Sequence, residues 1–261
     1  MPVRPKFDFD IPHFSHLGIV TGLCALLLMT SCAAPAHRSE AKGPGVVSGF
    51  FEPAPDKAFE YNLFVPYAAK DQKLPMLLSF PGAGISVSGE MANWQDAAGK
   101  AGIMVATASF FFREGSKNPR VHDYVIFLDE MARKYSIDTS RVFVAGASAG
   151  CLTARDLLYE SPERFRGAIF MASPNIEKLI RDPGAKQYPP MFFVHGEKDE
   201  QFPYKEKQRL VELLKQKGYS VSLLSDPNAG HTHDPKWNTA IFDWMDQQTG
   251  GGAQGEGETI P

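Results

Sequence analysis

Residues 142–151, Val-Phe-Val-Ala-Gly-Ala-Ser-Ala-Gly-Cys, leave few folds open to this chain. An apolar, β-branched and aromatic run stops in Gly146-Ala147-Ser148-Ala149-Gly150, and the residues after it, Cys151 to Glu160, can form a helix. That is a strand entering a helix through a G-x-S-x-G turn. A serine at such a turn occupies a strained backbone position. Small residues two before and two after it are needed, because strand and helix approach too closely there for side chains. The turn lifts the Ser148 hydroxyl clear of the sheet and sets the Ala149 amide toward a developing oxyanion. Serine nucleophile chemistry is the expectation; an ordinary Gly-rich strand-to-helix turn is the alternative.

A serine hydroxyl attacks poorly until a base removes its proton, and that base needs a carboxylate to fix its tautomer. The order Ser, Asp or Glu, His is the one this kind of turn goes with. Pro190 to Val194 reads as a buried strand running into His195-Gly196-Glu197-Lys198-Asp199. Asp199 then lies just beyond the C-terminal end of a strand, where open α/β sheets place their ligands. Tyr219 to Leu224 reads as another strand, leading to Asp226-Pro227-Asn228-Ala229-Gly230-His231-Thr232-His233. His231 is the expected base, with His233 as the runner-up. Glu197, Glu200 and Asp226 read as solvated loop carboxylates, and His195 as a residue bonded within its loop. The oxyanion needs a second donor. Pro75 to Phe80 is a strand, Pro81-Gly82-Ala83-Gly84 the loop after it, and Ala83 the donor expected alongside Ala149.

With these segments assembled, the chain resembles the α/β-hydrolase superfamily. Within it, the likeness is to the single-domain polyhydroxybutyrate depolymerase-like and feruloyl or acetyl-xylan esterase-like branch. Ser79 to Gly84, Trp94 to Ala108, Arg141 to Gly150, and Phe193 to Pro203 with Gly230-His231 carry it, across about residues 47–247. The resemblance implies Ser148 as nucleophile, Asp199 as orienting acid, His231 as general base, and an oxyanion hole at the Ala83 and Ala149 amides. One departure stands out: Pro81-Gly82 occupies the place where that branch carries His-Gly, so the shape of the acyl pocket differs locally.

The N-terminus carries Arg4 and Lys6, then an uncharged stretch from Leu17 to Met29, then Thr30-Ser31-Cys32-Ala33-Ala34. An apolar core this short, followed by small residues, reads as a signal peptide rather than a bilayer span. Met29-Thr30-Ser31-Cys32 resembles a bacterial lipobox, in which the cysteine becomes the lipidated first residue. A plain secretory signal or an uncleaved anchor is the alternative. Residues 1–31 are thus expected as a lipoprotein signal peptide, 32–46 as a flexible tether, 47–247 as the hydrolase domain, and 248–261 as a disordered Gly-rich tail. Ala33 after Cys32 resembles the outer-membrane sorting pattern, so the expected location is the bacterial cell envelope. With Cys32 acylated and the leader gone, Cys151 is the remaining cysteine and no intrachain disulfide can form.

Between these ends strands and helices alternate, which implies an α/β fold with a mostly parallel, doubly wound sheet. Val46 to Phe51 and Glu60 to Val65 look like an opening antiparallel pair. Asn118-Pro119 is expected to cap a helix with Val121, Tyr124, Val125, Leu128, Met131 and Ala132 on one face. Pro203 opens another helix, closed by Gly218. Asp234-Pro235 opens the last helix, which buries Trp237, Ile241, Trp244 and Met245. Only Ser173 to Pro189 separates the sixth strand from the seventh, room for a short helix (Asn175 to Arg181) but no lid domain. An open cleft is the expectation.

The net charge of −3, with 43% hydrophobic and 22% charged residues, suits a globular domain, and with no Lys/Arg cluster interleaved with aromatics nucleic acid is not an expected partner. No Cys/His/Asp cluster has metal spacing. The G-x-G-x-x-G match at Gly250 to Gly255 lies in the tail with no strand before it. No metal and no cofactor are therefore expected. The resulting expectation is an envelope-anchored serine hydrolase acting on carboxylic esters: hydroxycinnamoyl or acetyl esters on polysaccharide, polyesters, or small esters. A serine peptidase on the same fold and a non-catalytic binding protein are the rival readings.

Overall fold

The computed structural model of the 261-residue chain describes residues 44–68, 72–110, 119–176 and 187–250. Eight strands form one sheet: β1 (Gly45–Ala54), β2 (Lys57–Val65), β3 (Leu74–Phe80), β4 (Met104–Ala108), β5 (Ile137–Ala147), β6 (Gly167–Met171), β7 (Met191–Gly196) and β8 (Val221–Asp226). Their spatial order is β1-β2-β4-β3-β5-β6-β7-β8. β1 pairs antiparallel with β2, and β2 antiparallel with β4; every later pairing is parallel. The expected opening pair and parallel body are both present.

Helices cover both faces, as a parallel sheet requires. On one face lie α2 (Val121–Lys134), α3 (Gly150–Glu160) and α4 (Tyr204–Gln216), packing Phe127, Leu157 and Leu214 against Met76, Leu78, Val144 and Phe170. On the other lie α1 (Val87–Ala101) and α5 (Asn238–Gln248), packing Trp94, Ile241 and Trp244 against Leu77, Val105, Phe143 and Ile169. Successive residues of β3 and β5 feed the two cores alternately, the period of two that a strand buried on both sides displays.

The chain order reverses direction at β3, whose successor β4 lies on one side and β5 on the other. This is the topological switch point, where the loops leaving adjacent strands diverge and open a crevice at the strand ends. Ser148 leaves β5 and Pro81 leaves β3 at that point.

Three local expectations need correction. Helix α2 begins one residue past Arg120, whose amide donates to the Asp123 carboxylate at 2.7 Å, so that pair and not Asn118-Pro119 caps it. Asp226 ends β8 rather than sitting in the loop. It is buried, accepting from the Trp237 indole at 2.9 Å and pairing with Lys236 at 2.7 Å, so it is not a solvated carboxylate. Asp234-Pro235 opens a single 3₁₀ turn, Pro235–Trp237, before α5. The expected helix over 175–181 falls mainly outside the described residues, as do the leader, Cys32 and most of the tail.

Candidate active site

Ser148 has φ +48°, the left-handed backbone that a non-glycine residue adopts only under constraint from its surroundings. The constraint is visible in the flanking glycines. A Cβ on Gly146 would stand 2.5 Å from the Cys151 amide nitrogen, and one on Gly150 would stand 2.3 Å from the Phe80 carbonyl oxygen. Strand β5, helix α3 and the end of β3 are thus in backbone contact around the serine. The Ser148 amide donates to the Met171 carbonyl of β6 at 2.9 Å, and its own carbonyl accepts from the Cys151 amide at 3.0 Å.

His231 comes to the serine from 83 positions further along the chain, and the ring Nε2 is 2.8 Å from Ser148 Oγ. On its other side, Nδ1 is 2.9 Å from Asp199 Oδ2. Because Nδ1 faces a carboxylate, it carries the proton and donates it, which leaves the Nε2 lone pair to accept from the serine hydroxyl. Asp199 is held rigidly in turn. Its Oδ1 accepts from the backbone amides of Gln201 and Phe202, both at 2.9 Å. The Asp199 side chain is completely buried, while a quarter of the His231 ring remains exposed. Proton traffic therefore has access to solvent at the imidazole and none at the acid.

Two loops must meet for this contact, and Gly196 lets them. A Cβ there would lie 2.4 Å from the carbonyl oxygens of both Ala229 and Gly230, so the loops carrying Asp199 and His231 lie backbone against backbone. The Glu197 amide donates to the Asp226 carbonyl, and the Lys198 amide to the Ala229 carbonyl, at 2.8 and 2.9 Å. His195, fully buried, sits 2.7 Å from the Phe202 carbonyl through Nε2. Burial pushes its pKa down, so it stays neutral and donates that bond, bracing the turn that holds Asp199.

The Pro81–Gly84 loop lies against Ser148, since a Cβ at Gly82 would be 3.5 Å from Ser148 Cβ. Gly84 has φ +78° and turns the loop back, with the Ile85 amide donating to the Gly82 carbonyl at 3.1 Å. Ala83 is exposed and Ala149 half-buried. Ile85 is also exposed beside the loop. The Phe202 ring packs edge-on against His231 at 5.3 Å between centroids.

His233, the runner-up base, has no contact with Ser148. Its ring points the other way, between Glu90 and Asn238. Cys151, also beside the elbow, is fully buried with Sγ 3.0 Å from the Gly146 carbonyl. Burial pushes its thiol up to about 12, which keeps it protonated and unreactive at neutral pH. Among the described residues no group of His, Cys, Asp or Glu is arranged to hold a metal ion.

The sequence reading missed several groups around this site. Lys207 of α4 is buried, donating to the Ser173 carbonyl and hydroxyl and to the Pro174 carbonyl at 2.8, 2.6 and 3.2 Å. Burial brings its pKa down to about 8. It ties down the chain leaving β6, where Ala172 has φ +43°. Glu90, Asn238 and Gly196 were also not singled out. Gly196 alone left a trace, as a glycine directly after a strand.

A strand-to-helix elbow carrying a serine at the switch point of a mostly parallel sheet, with an aspartate and a histidine in the loops after β7 and β8, defines the α/β-hydrolase fold. A family model places the chain further. Residues 112–176 and 170–252 match the prolyl oligopeptidase family, and the chain belongs to that family. Among curated proteins it is 22% identical over 178 residues to a bifunctional acetylxylan esterase/xylanase of Neocallimastix patriciarum. That match covers 65% of this chain and 26% of the relative, so the chain spans about a quarter of that protein's length. Among solved structures, an S-formylglutathione hydrolase of Staphylococcus aureus superposes with TM-score 0.63 at 12% identity, over 79% of this chain and 99% of the other. Est1E of Butyrivibrio proteoclasticus gives 0.60 at 14%, over 78% and 99%. A dipeptidyl aminopeptidase IV homologue of Bacteroides ovatus gives 0.58 at 15%, over 78% of this chain and 35% of its own. At these identities the structural likeness is one of fold.

Proposed function

We propose that this protein is a serine hydrolase that cleaves carboxylic esters through an acyl-enzyme, with Ser148 as nucleophile, His231 as general base and Asp199 as orienting acid. The observation that carries the reading is the unbroken chain from Asp199 Oδ2 to His231 (2.9 Å) to Ser148 Oγ (2.8 Å) at a serine held at positive φ. His231 Nε2 takes the hydroxyl proton as Oγ attacks the ester carbonyl. The tetrahedral oxyanion is assigned to the Ala83 and Ala149 amides, the first in the loop after β3 and the second next to Ser148. His231 then protonates the leaving alkoxide, and water releases the acyl group by the same route in reverse.

The ester assignment draws on the acetylxylan esterase relative and on the segments shared with the feruloyl and acetyl-xylan esterase-like branch. Exposed Ile85 and the Phe202 ring supply apolar surface beside the reacting atoms, suited to an acyl or aryl group. Peptide cleavage is the second reading, favoured by the family match itself. Envelope anchoring through a lipidated Cys32 completes the proposal and rests on the Leu17 to Cys32 segment.

A fluorophosphonate probe should label the wild-type protein and fail on Ser148→Ala. On the same pair, acetyl and feruloyl esters should turn over while short peptides do not. Peptide turnover exceeding ester turnover would move the assignment to the peptidase reading. An unlabelled, inert wild type would leave a binding protein.

A further inference from the structure

We infer that His233 and Glu90 form a buried ion pair that positions the catalytic base relative to the oxyanion loop, His233 acting through the loop it shares with His231. The inference rests on the serine hydrolase reading above and assigns work to residues outside its triad.

The geometry starts at Glu90 of α1, which is 1% exposed. Its Oε1 accepts from the Ser79 hydroxyl at 2.8 Å and from the Trp94 indole at 2.8 Å. Ser79 is the penultimate residue of β3, two positions before Pro81 begins the oxyanion loop. The His233 ring is 3% exposed, and its Nδ1 stands 3.2 Å from the same Oε1, at ion-pair distance though outside hydrogen-bond alignment. Its Nε2 is 3.0 Å from Asn238 Oδ1. The Asn238 amide orientation is settled by its Nδ2, which donates to the Asn93 carbonyl at 2.6 Å. Both ring nitrogens of His233 therefore face acceptors. Electrostatics favours the imidazolium there, because a neutral ring would aim a lone pair at a carboxylate or an amide oxygen.

A single buried cluster thus joins the end of β3, helix α1, the start of α5 and the base loop, two residues from His231. Errors of about 1 Å in the placement of reacting groups cost on the order of 10²-fold in rate. The charged groups facing His233 are Glu90 across from it and Asp234 beside it, with the Trp94 ring at 4.5 Å. Burial lowers the His233 pKa, but Glu90 first, then Asn238 and Asp234, outweigh it and the net direction is upward. When His233 does lose its proton at higher pH, Nδ1 and Glu90 repel and the strut releases the base loop.

The test compares Glu90→Gln, His233→Gln and the double variant with wild type. Turnover is counted per fluorophosphonate-titrated site across a pH series, with melting temperature recorded. Each single variant should lose about 10- to 100-fold in kcat with KM within about threefold. The double variant should lose no more than the worse single, as for residues acting as one unit. Glu90→Gln should move the alkaline fall of kcat to lower pH, and His233→Gln should abolish it. Should Glu90→Gln fail to fold, Asp234→Asn carries the same readout, since Asn caps the 3₁₀ turn as well as Asp and should shift the alkaline limb down by less. Unchanged kcat and pH limb in folded variants, or losses that multiply in the double variant, would overturn the pair while leaving the hydrolase reading intact. An inert wild type takes both down.

Discussion

At the scale of single residues, the site depends on which side chains have no freedom left. Asp199 has none: two backbone amides grip Oδ1, the imidazole takes Oδ2, and no solvent reaches it. Replacing it by Asn keeps the shape but offers His231 Nδ1 an amide that can present N–H instead of an acceptor, selecting the wrong tautomer. Asp199→Asn should therefore fold normally and lose about 10⁴-fold in kcat, measured on any ester that wild type cleaves. Recovery to within tenfold of wild type would show that the tautomer is not what Asp199 controls. That Ser148, Asp199 and His231 would lie near one another was legible, because order along the chain and placement after strands are sequence properties. Choosing between His231 and His233 was not. They are two positions apart in one loop, and only the direction of each ring decides which meets Ser148 and which meets Glu90.

At the scale of elements, the β5–α3 elbow shows how a turn stores geometry. Gly150 opens α3 directly under the carbonyls of Phe80 and Pro81, at distances where a methyl group would overlap backbone atoms. Backbone cannot step aside as a side chain can. Gly150→Ala should cost about 1–3 kcal/mol of stability through overpacking and lower the melting temperature by several degrees. It should also cut activity, because the push falls on the loop carrying Ala83. An unchanged melting temperature with full activity would mean that β3 yields freely. The G-x-S-x-G pattern announced this crowding, since small residues two before and two after the serine are what a close strand–helix approach requires. The corresponding contact at Gly196 was unannounced, because the atoms it meets come from Ala229 and Gly230, more than thirty positions on. Asp226 was misread for the same reason. Its partner Trp237 lies beyond a loop, and a carboxylate next to Pro-Asn looks solvated until the indole is seen.

Across the whole molecule, two apolar layers sandwich the sheet, and the crevice opens where β3 and β5 part. The layers were legible from the alternation of strands and helices, which calls for a mostly parallel sheet covered on both sides. The segment before residue 44 bears on where this body sits in the cell, and a Cys32→Ala variant addresses it. If Cys32 carries the lipid, wild type should fractionate with membranes and the variant should be released in soluble form. Both forms in the soluble fraction would indicate a plain secretory signal, and both in the membrane fraction an uncleaved anchor.

Taken alone, the sequence determined the alternation of elements, the elbow and the chain order of Ser148, Asp199 and His231 after their strands, because these are written in neighbouring residues and in turn chemistry. Tertiary structure alone decided which histidine reaches Ser148, that Gly196 lets the acid and base loops touch, and that Glu90 meets His233 in the core. Those contacts span from about thirty to more than 140 positions of chain, and no local pattern encodes a distance that only the packing of the sheet closes.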